Sequence, residues 1–367
     1  MSGPGIVDVL TSPRVDEVET TASEVLRRRL AIQGLLSDRP ERATDVVRRL
    51  ACVQSQEWAH AFWSLGRRTA GTTYARVRAE FDAGSFLRTH ILRPTWHFVA
   101  AEDLGWISEV TAPRVHQLNG TIYRQYQLEQ RRRDAATATI VEALAGGRYQ
   151  TRAELGRLLG AEGVALAYLV MNAELEGVIC SGPIRGAQHT YALVAERVTD
   201  PARGDLAELA RRFFVGHGPA SVRDLARWAS LTTTQAAEAT EAVAPRLARM
   251  TVADEVLWLD AEAADQPLDR SPYGALLLPL YDELTLSYPR INFPLAEQHP
   301  HPPGEDQFVG NVIVAEVNVG TWRRTVRGRK VILEVAVAEG SRSTYPQIAT
   351  AAAELARFLD LELELSV

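Results

Sequence analysis

The chain has 367 residues, 46% hydrophobic and 23% charged, which is enough for two to four modules with cores of their own. Its net charge of −6 argues against a dedicated DNA coat protein, so any contact with nucleic acid must come from local clusters of charge. No run of about 18 apolar residues exists, which excludes a membrane span, and residues 1–16 lack the basic-then-apolar order of a signal peptide. Cys52 and Cys180 are too few for a disulfide framework, so a cytoplasmic protein is expected.

Residues 1–21 read as a flexible tail. Thr21 and Glu24 form a capping-box pattern ahead of a helix over 22–36, which the Ser37-Asp38-Arg39-Pro40 breaker ends. A second helix is expected over 43–53, with Val46, Val47 and Leu50 as its apolar stripe, and a third over 74–82. Residues 87–99 read as strand, turn and strand around Arg93-Pro94. Three helices followed by a hairpin make a winged helix, and the pattern recurs. The caps at Thr151 and Ser221 open corresponding helices, and hairpins are expected around Ser181-Gly182-Pro183 and over 250–259. From about residue 272 the composition turns to apolar strands over 275–280, 312–319 and 331–337, closed by a helix over 347–359. The fold class is therefore α+β: tandem winged-helix units over 22–132, 133–200 and 201–261, then a C-terminal β-rich module over 272–367.

Arginines carry almost all the positive charge, since Lys330 is the only lysine. Arg27-Arg28-Arg29, Arg131-Arg132-Arg133 and Arg323-Arg324 with Arg327 and Arg329 are dense enough to hold phosphates. The first two clusters suit solvated helix faces equally well. His299 and His301 lie near Glu305 and Asp306, but no ligand has helical or strand spacing, so no metal is expected. No phosphate loop or nucleophile elbow occurs, and no cofactor is expected.

Four segments carry a resemblance. They are Val53-Gln54-Ser55-Gln56-Glu57, the stretch from Leu92 to Val99 (LRPTWHFV), the stretch from Leu278 to Glu283 (LPLYDE), and Gly320-Thr321-Trp322-Arg323-Arg324. In this order they resemble the winged-helix family that includes the AlkZ/YcaQ-type DNA glycosylases. The resemblance implies tandem winged helices with a C-terminal β-domain, double-stranded DNA as partner, and excision of bulky or crosslinked N-alkylated purines in DNA repair or genotoxin self-resistance. It assigns catalysis to Gln54 and Gln56. The chain departs from the family pattern at Ser55, where an apolar residue is usual, and at Pro94, where Gly is favoured.

Removing an N7-alkylated purine asks little of an acid, because the leaving base already carries positive charge. The enzyme must orient a water and stabilise charge on the sugar. Glutamine amides can donate and accept without titrating. In extended chain Gln54 and Gln56 share a face, whereas on a helix they point apart. Glu57 can serve as a base, and Asp282 or Glu283 as an electrostatic stabiliser, although carboxylates beside an apolar strand more often cap or pair. Arg93, His97, Arg323 and Arg324 are the candidate DNA contacts, His97 being equally suited to packing. Two functions stay open: a monofunctional glycosylase acting as a monomer, and a non-catalytic winged-helix transcriptional regulator. The helices over 163–177 and 235–247 are apolar and acidic where a regulator would present base-reading side chains, which favours the glycosylase.

Overall fold

A computed structural model describes residues 18–36, 38–300 and 309–367. The first strand, β1 (Val18–Glu19), leads into α1 (Ala22–Ile32), whose start carries the expected reciprocal Thr21–Glu24 cap. Sequence reading makes α1 the opening helix of the first unit, but it packs elsewhere. Val25 joins Met250, Val252, Leu257 and Leu259 in one cluster, and β1 pairs in parallel with a strand of the third unit.

After α1 the chain runs α2 (Ala43–Leu50), β2 (Cys52–Gln54), α3 (Trp58–Arg68), α4 (Tyr74–Ala83), β3 (Phe86–His90) and β4 (Trp96–Ala100), with sheet order β2-β4-β3. The α2 helix stops three residues before the expected Val53, because Ala51 turns into the left-handed region at φ 58°. This break frees Cys52 to Gln54 to become a strand. Arg42 offers α2 no side-chain cap; Glu80 of α4 caps it instead, accepting from the backbone N–H groups of Ala43 and Thr44 at 3.2 and 2.9 Å.

Two helices longer than ten residues lie where sequence reading placed none. One is α3, buried from Ala61 to Arg68 and so without a polar face to give it a period. The other is α5 (Leu104–Gln125), 22 residues long with Pro113 inside it and Ser108, Thr111 and Asn119 among its buried positions.

The order helix, strand, two helices, hairpin then repeats. It is traced by α6 (Gln130–Leu144), β5 (Gln150–Thr151), α7 (Arg152–Leu159), α8 (Gly163–Leu175), β6 (Ile179–Ser181) and β7 (Thr190–Leu193), with sheet order β5-β7-β6. After the short α9 (Val194–Arg197) come α10 (Leu206–His217), α11 (Val222–Trp228), α12 (Thr233–Val243), β8 (Leu247–Val252) and β9 (Glu255–Asp260). Here the first strand is reduced to one bridge, Ala220 to Trp258.

Beyond α13 (Ala261–Asp265) the chain builds a five-stranded sheet in the order β10-β11-β12-β13-β14. Its elements are β10 (Leu276–Leu278), α14 (Glu283–Leu286), β11 (Gly310–Val314), β12 (Val317–Arg327), β13 (Lys330–Val337), α15 (Tyr345–Leu359) and β14 (Glu362–Ser366). The sheet is antiparallel except for β13 and β14, which α15 connects in parallel.

Shared cores join these parts. Phe62, Trp63, Val77 and Phe98 of the first unit form one cluster with Trp322, Leu333, Leu355 and Phe358 of the C-terminal module. The indole N–H groups of Trp63 and Trp322 both reach β10, donating to Leu277 O at 2.7 Å and Leu278 O at 2.8 Å. A second cluster gathers Leu87, Leu92, Phe213, Trp228 and Leu284, so the third unit closes on the opposite side of the first.

The first arginine cluster is largely engaged inside the protein, and the second only in part, since Arg131 and Arg132 stay exposed. The Arg29 guanidinium is buried 3.5 Å over the Tyr288 ring and donates to Pro219 O and Ile291 O. Arg27 pairs with Glu316 at 2.9 Å and Arg28 reaches Ala263 O. Arg132 and Arg133 donate to carbonyls at the end of α5, and Arg133 covers Tyr123. A guanidinium buried this way acts as a multi-donor staple for backbone carbonyls rather than as a phosphate anchor.

Candidate active site

Gln54 ends β2 at the edge of its sheet and lies opposite His97 of β4. Ser55 continues the pairing, its N–H donating to Trp96 O at 2.8 Å, so the segment from 52 to 55 is extended and bends only at Gln56. An edge strand leaves every other N–H without a ladder partner. For Gln54 that partner is a carboxylate: Glu283 Oε1 accepts from its N–H at 2.6 Å.

Glu283 has no exposed surface. Its second oxygen accepts from Ser287 Oγ at 3.0 Å and Trp228 Nε1 at 3.2 Å, with His217 Nε2 at 3.4 Å. Burial alone would raise its pKa. The His217 hydrogen bond and the charges of His217 and Arg93 outweigh this and hold the carboxyl down to about 2. The site therefore contains a fixed buried anion assembled from α10, α11 and α14. Neighbouring Asp282, the other carboxylate considered from sequence, is committed to structure. It takes two hydrogen bonds from buried Arg68 at 2.7 and 2.8 Å and one from Ser64 at 2.7 Å, and it caps α14.

Arg93 lies in the β3–β4 connection, where Leu92 adopts φ 64°. Its Nη2 donates to Gln54 Oε1 at 2.6 Å and stands 3.0 Å from His97 Nε2. His97 Nδ1 is 3.0 Å from Thr95 O, a carbonyl that can only accept. The proton is thus on Nδ1, and Nε2 accepts from Arg93. Burial, reinforced by the Arg93 charge, holds His97 down to about 3, so the ring is neutral. Expected as a DNA contact, His97 has no exposed surface and both nitrogens engaged inside the protein. It positions Arg93.

Gln56 follows at the bend, its carbonyl accepting from Arg88 Nη2 at 3.3 Å while Ser55 O accepts from Arg88 Nε at 3.0 Å. Its side-chain Oε1 is buried with no partner among the described residues. Ser55 between the two glutamines is fully buried, and its Oγ also lacks a partner among them. Glu57 stands exposed at the start of α3.

The arginines of β12 divide. Arg324 is turned in, donating to Ala59 O at 3.0 Å just after the glutamine segment. Arg323 is exposed and pairs with Glu334 across the ladder at 2.7 and 3.0 Å. Beyond them the β12–β13 hairpin is exposed from Thr325 through Arg327, Arg329 and Lys330. His299 meets Asn318 Oδ1 at 3.1 Å, whereas His301, Glu305 and Asp306 lie outside the described residues. No single helix among the described residues is long and apolar enough to cross a membrane.

Sequence reasoning pointed to the glutamines, Arg93, His97 and Glu283, but not to His217, Trp228 or Arg88. Those three come from segments distant in sequence and carry no local signal.

Fold and site together define a class of protein in which repeated helix–hairpin units and a terminal sheet close around a buried polar strand end. The chain belongs to the AlkZ-like DNA glycosylase family, whose model matches residues 47–358. It is 28% identical over 211 residues to the interstrand DNA cross-link repair glycosylase of Streptomyces sahachiroi; that match covers 52% of this chain and 56% of that protein. Its fold is similar to the solved structure of the Streptomyces sahachiroi DNA glycosylase AlkZ, with a TM-score of 0.74 at 20% identity, over 95% of this chain and 100% of that one.

Proposed function

We propose that the protein is a monofunctional DNA glycosylase that removes bulky or crosslinked N-alkylated purines from duplex DNA, with Gln54 and Gln56 orienting the attacking water. The observation that carries this is a pair of glutamines at one strand end, the first held on its backbone by an ionised, buried carboxylate. Gln54 is locked by Arg93 on its side chain and by Glu283 on its backbone, while Gln56 keeps a buried acceptor, Oε1, without a partner. Such an acceptor can hold a water proton. Glu283 supplies fixed negative charge where an oxocarbenium ion would develop. As the C1′–N bond breaks, its electron pair goes to the base and neutralises the base's charge, so no acid is needed. A water oxygen then bonds C1′, the amides hold that water in place, and its proton is released to solvent to leave the neutral 1′-hydroxyl of the abasic sugar.

A lyase step would need an amine nucleophile. Lys330, the only lysine, is at the exposed hairpin tip. The product is therefore an abasic site in an uncut strand. We further propose that the three repeats, near 43–100, 130–193 and 206–260, are winged-helix units, that the protein acts as a monomer, and that Arg323 and the basic hairpin tip meet the phosphates. The regulator reading is less favoured. Helix α8 is buried from Leu169 to Leu175, and α12 exposes Glu238 and Glu241 without a cation, so neither suits the major groove.

The test is base release from duplexes carrying N7-methylguanine or a bulky N7 adduct. Release of free base with strand cleavage only after alkali supports the reading. Intact lesions, or borohydride trapping of a protein–DNA adduct, reject it.

A further inference from the structure

Beside the glutamine segment lies a cleft of about 220 Å³ that the reaction scheme does not use, walled by the first unit on one side and the second hairpin on the other. Its lining includes Trp58, Arg88, Trp96, Arg152, His189 and Tyr191. We propose that this cleft receives the target purine once it is turned out of the helix, stacking it on the indoles and reading its edge with Arg88 and His189. The proposal rests on the glycosylase reading and names where that enzyme holds its base.

Three observations support it. The walls are set in advance: Trp96 donates to Glu174 at 3.1 Å, and Glu174 also holds His90 at 2.5 Å, whose ring lies 4.3 Å from the indole. The Arg88 guanidinium lies 4.2 Å from the Trp96 ring. Two of its nitrogens grip Ser55 O and Gln56 O, and the third, Nη1, makes no hydrogen bond among the described residues. His189 is half-buried, and its Nε2 lies out of solvent with no partner among the described residues. Burial and the charges of Arg88 and His90 keep its ring neutral.

A planar ring system with both acceptors and donors on its edge fits this set. Aromatic walls stack any base face, while a guanidinium and a neutral imidazole recognise the polar edge of a purine. The cleft also adjoins the chemistry, because Arg88 bonds the backbone of the two residues that carry it and Trp58 is two positions beyond Gln56. Turning the base out costs stacking energy, which a rigid aromatic slot returns.

The test uses the full chain and 7-methylguanine as the free probe. Wild type should show saturable quenching of tryptophan fluorescence. His189→Ala should weaken binding about tenfold or more, the scale of losing one ring contact, and Trp58→Ala likewise, whereas Trp58→Phe should retain most of it. In single-turnover release from N7-methylguanine duplex, the same two alanine variants should be slowed about tenfold with unchanged affinity for undamaged duplex. Binding that is lost in the variants while wild type releases nothing would sustain the cleft and reject the glycosylase. Release by wild type with equal rates and equal 7-methylguanine binding in the alanine variants would overturn the cleft. So would failure of 7-methylguanine to bind any form.

Discussion

Ser55 lies fully buried between the two glutamines, where its hydroxyl meets no partner among the described residues. Leaving a buried hydroxyl unpaired costs on the order of 1–3 kcal/mol. Ser55→Ala should therefore hold or raise the urea midpoint, and because backbone bonds from Arg88 and Glu283 fix the segment, base release should change little. A clear fall in midpoint would mean that the hydroxyl is satisfied. Gln56 behaves differently, because its unpaired acceptor is proposed to be functional. Gln56→Ala should slow base release by about 10²-fold, the scale of losing one positioned polar group. Affinity for duplex DNA should remain as it was, since the residue holds no phosphate. Full activity in a Gln54→Ala, Gln56→Ala double variant would remove the site altogether.

Helices α2 and α10 touch through backbone rather than through interlocking side chains. A Cβ placed on Gly216 would lie 2.1 Å from Arg49 O and 3.1 Å from Leu50 Cα, so neither helix can yield by a rotamer change. Gly216→Ala should destabilise the protein by about 3 kcal/mol, the upper part of the overpacking range, measured by urea unfolding. A loss below about 1 kcal/mol would show that the helices slide apart easily. The link between the first two units is polar instead. Glu174 of α8 holds both His90 and Trp96 of the first hairpin. Glu174→Ala leaves buried His90 and half-buried Trp96 without their acceptor and should cost about 2–4 kcal/mol, since an unsatisfied buried group costs about 1–3 and the half-exposed indole less. Glu174→Gln, which keeps an acceptor, should cost less.

At the scale of the molecule, burial pushes down four histidines among the described residues: His97 to about 3, His60 to about 4, His189 well below its usual value, and His116. Their folded pKa values lie below the unfolded one. Their contribution to stability is complete above about pH 6.5 and is lost as pH falls, because only the unfolded chain takes up the protons. Each adds up to about 1.4 kcal/mol per pH unit of lost stability. Urea titrations at pH 7.0, 5.5 and 4.5 should show the fall, and His97→Gln should flatten it by about one proton. A slope that is the same in the variant would contradict the assigned neutral ring. The hairpin tip acts on the same scale but through salt. Replacing Arg327 and Arg329 by glutamine should reduce the slope of log affinity against log salt by about 0.9 per lost phosphate contact. An unaltered slope would take the tip out of the DNA interface.

Much of the fold can be read from the letters. The caps at Thr21, Thr151 and Ser221 and the period-2 run in β13 are local signals, since a cap or an alternation needs only neighbouring residues. The single strand expected over 312–319 is instead split into β11 and β12 where Ala315 and Glu316 turn left-handed. The Gln54–Gln56 spacing and Glu283 also stand out in the sequence. Helix α3 does not, because a helix buried on most sides loses the polar face that reveals its period, and α5 does not because polar Ser108, Thr111 and Asn119 interrupt its buried stripe. Nor does the sequence tell Arg29, spent over Tyr288, from Arg323, exposed on a hairpin. Charge is a property of the residue, but whether it faces water depends on what packs over it. The buried anion at Glu283 shows this most clearly: it needs His217 from α10, Trp228 from α11 and the edge amide of Gln54, each more than fifty residues from Glu283 in sequence. Their meeting is fixed only when the third unit and the C-terminal module close on the first.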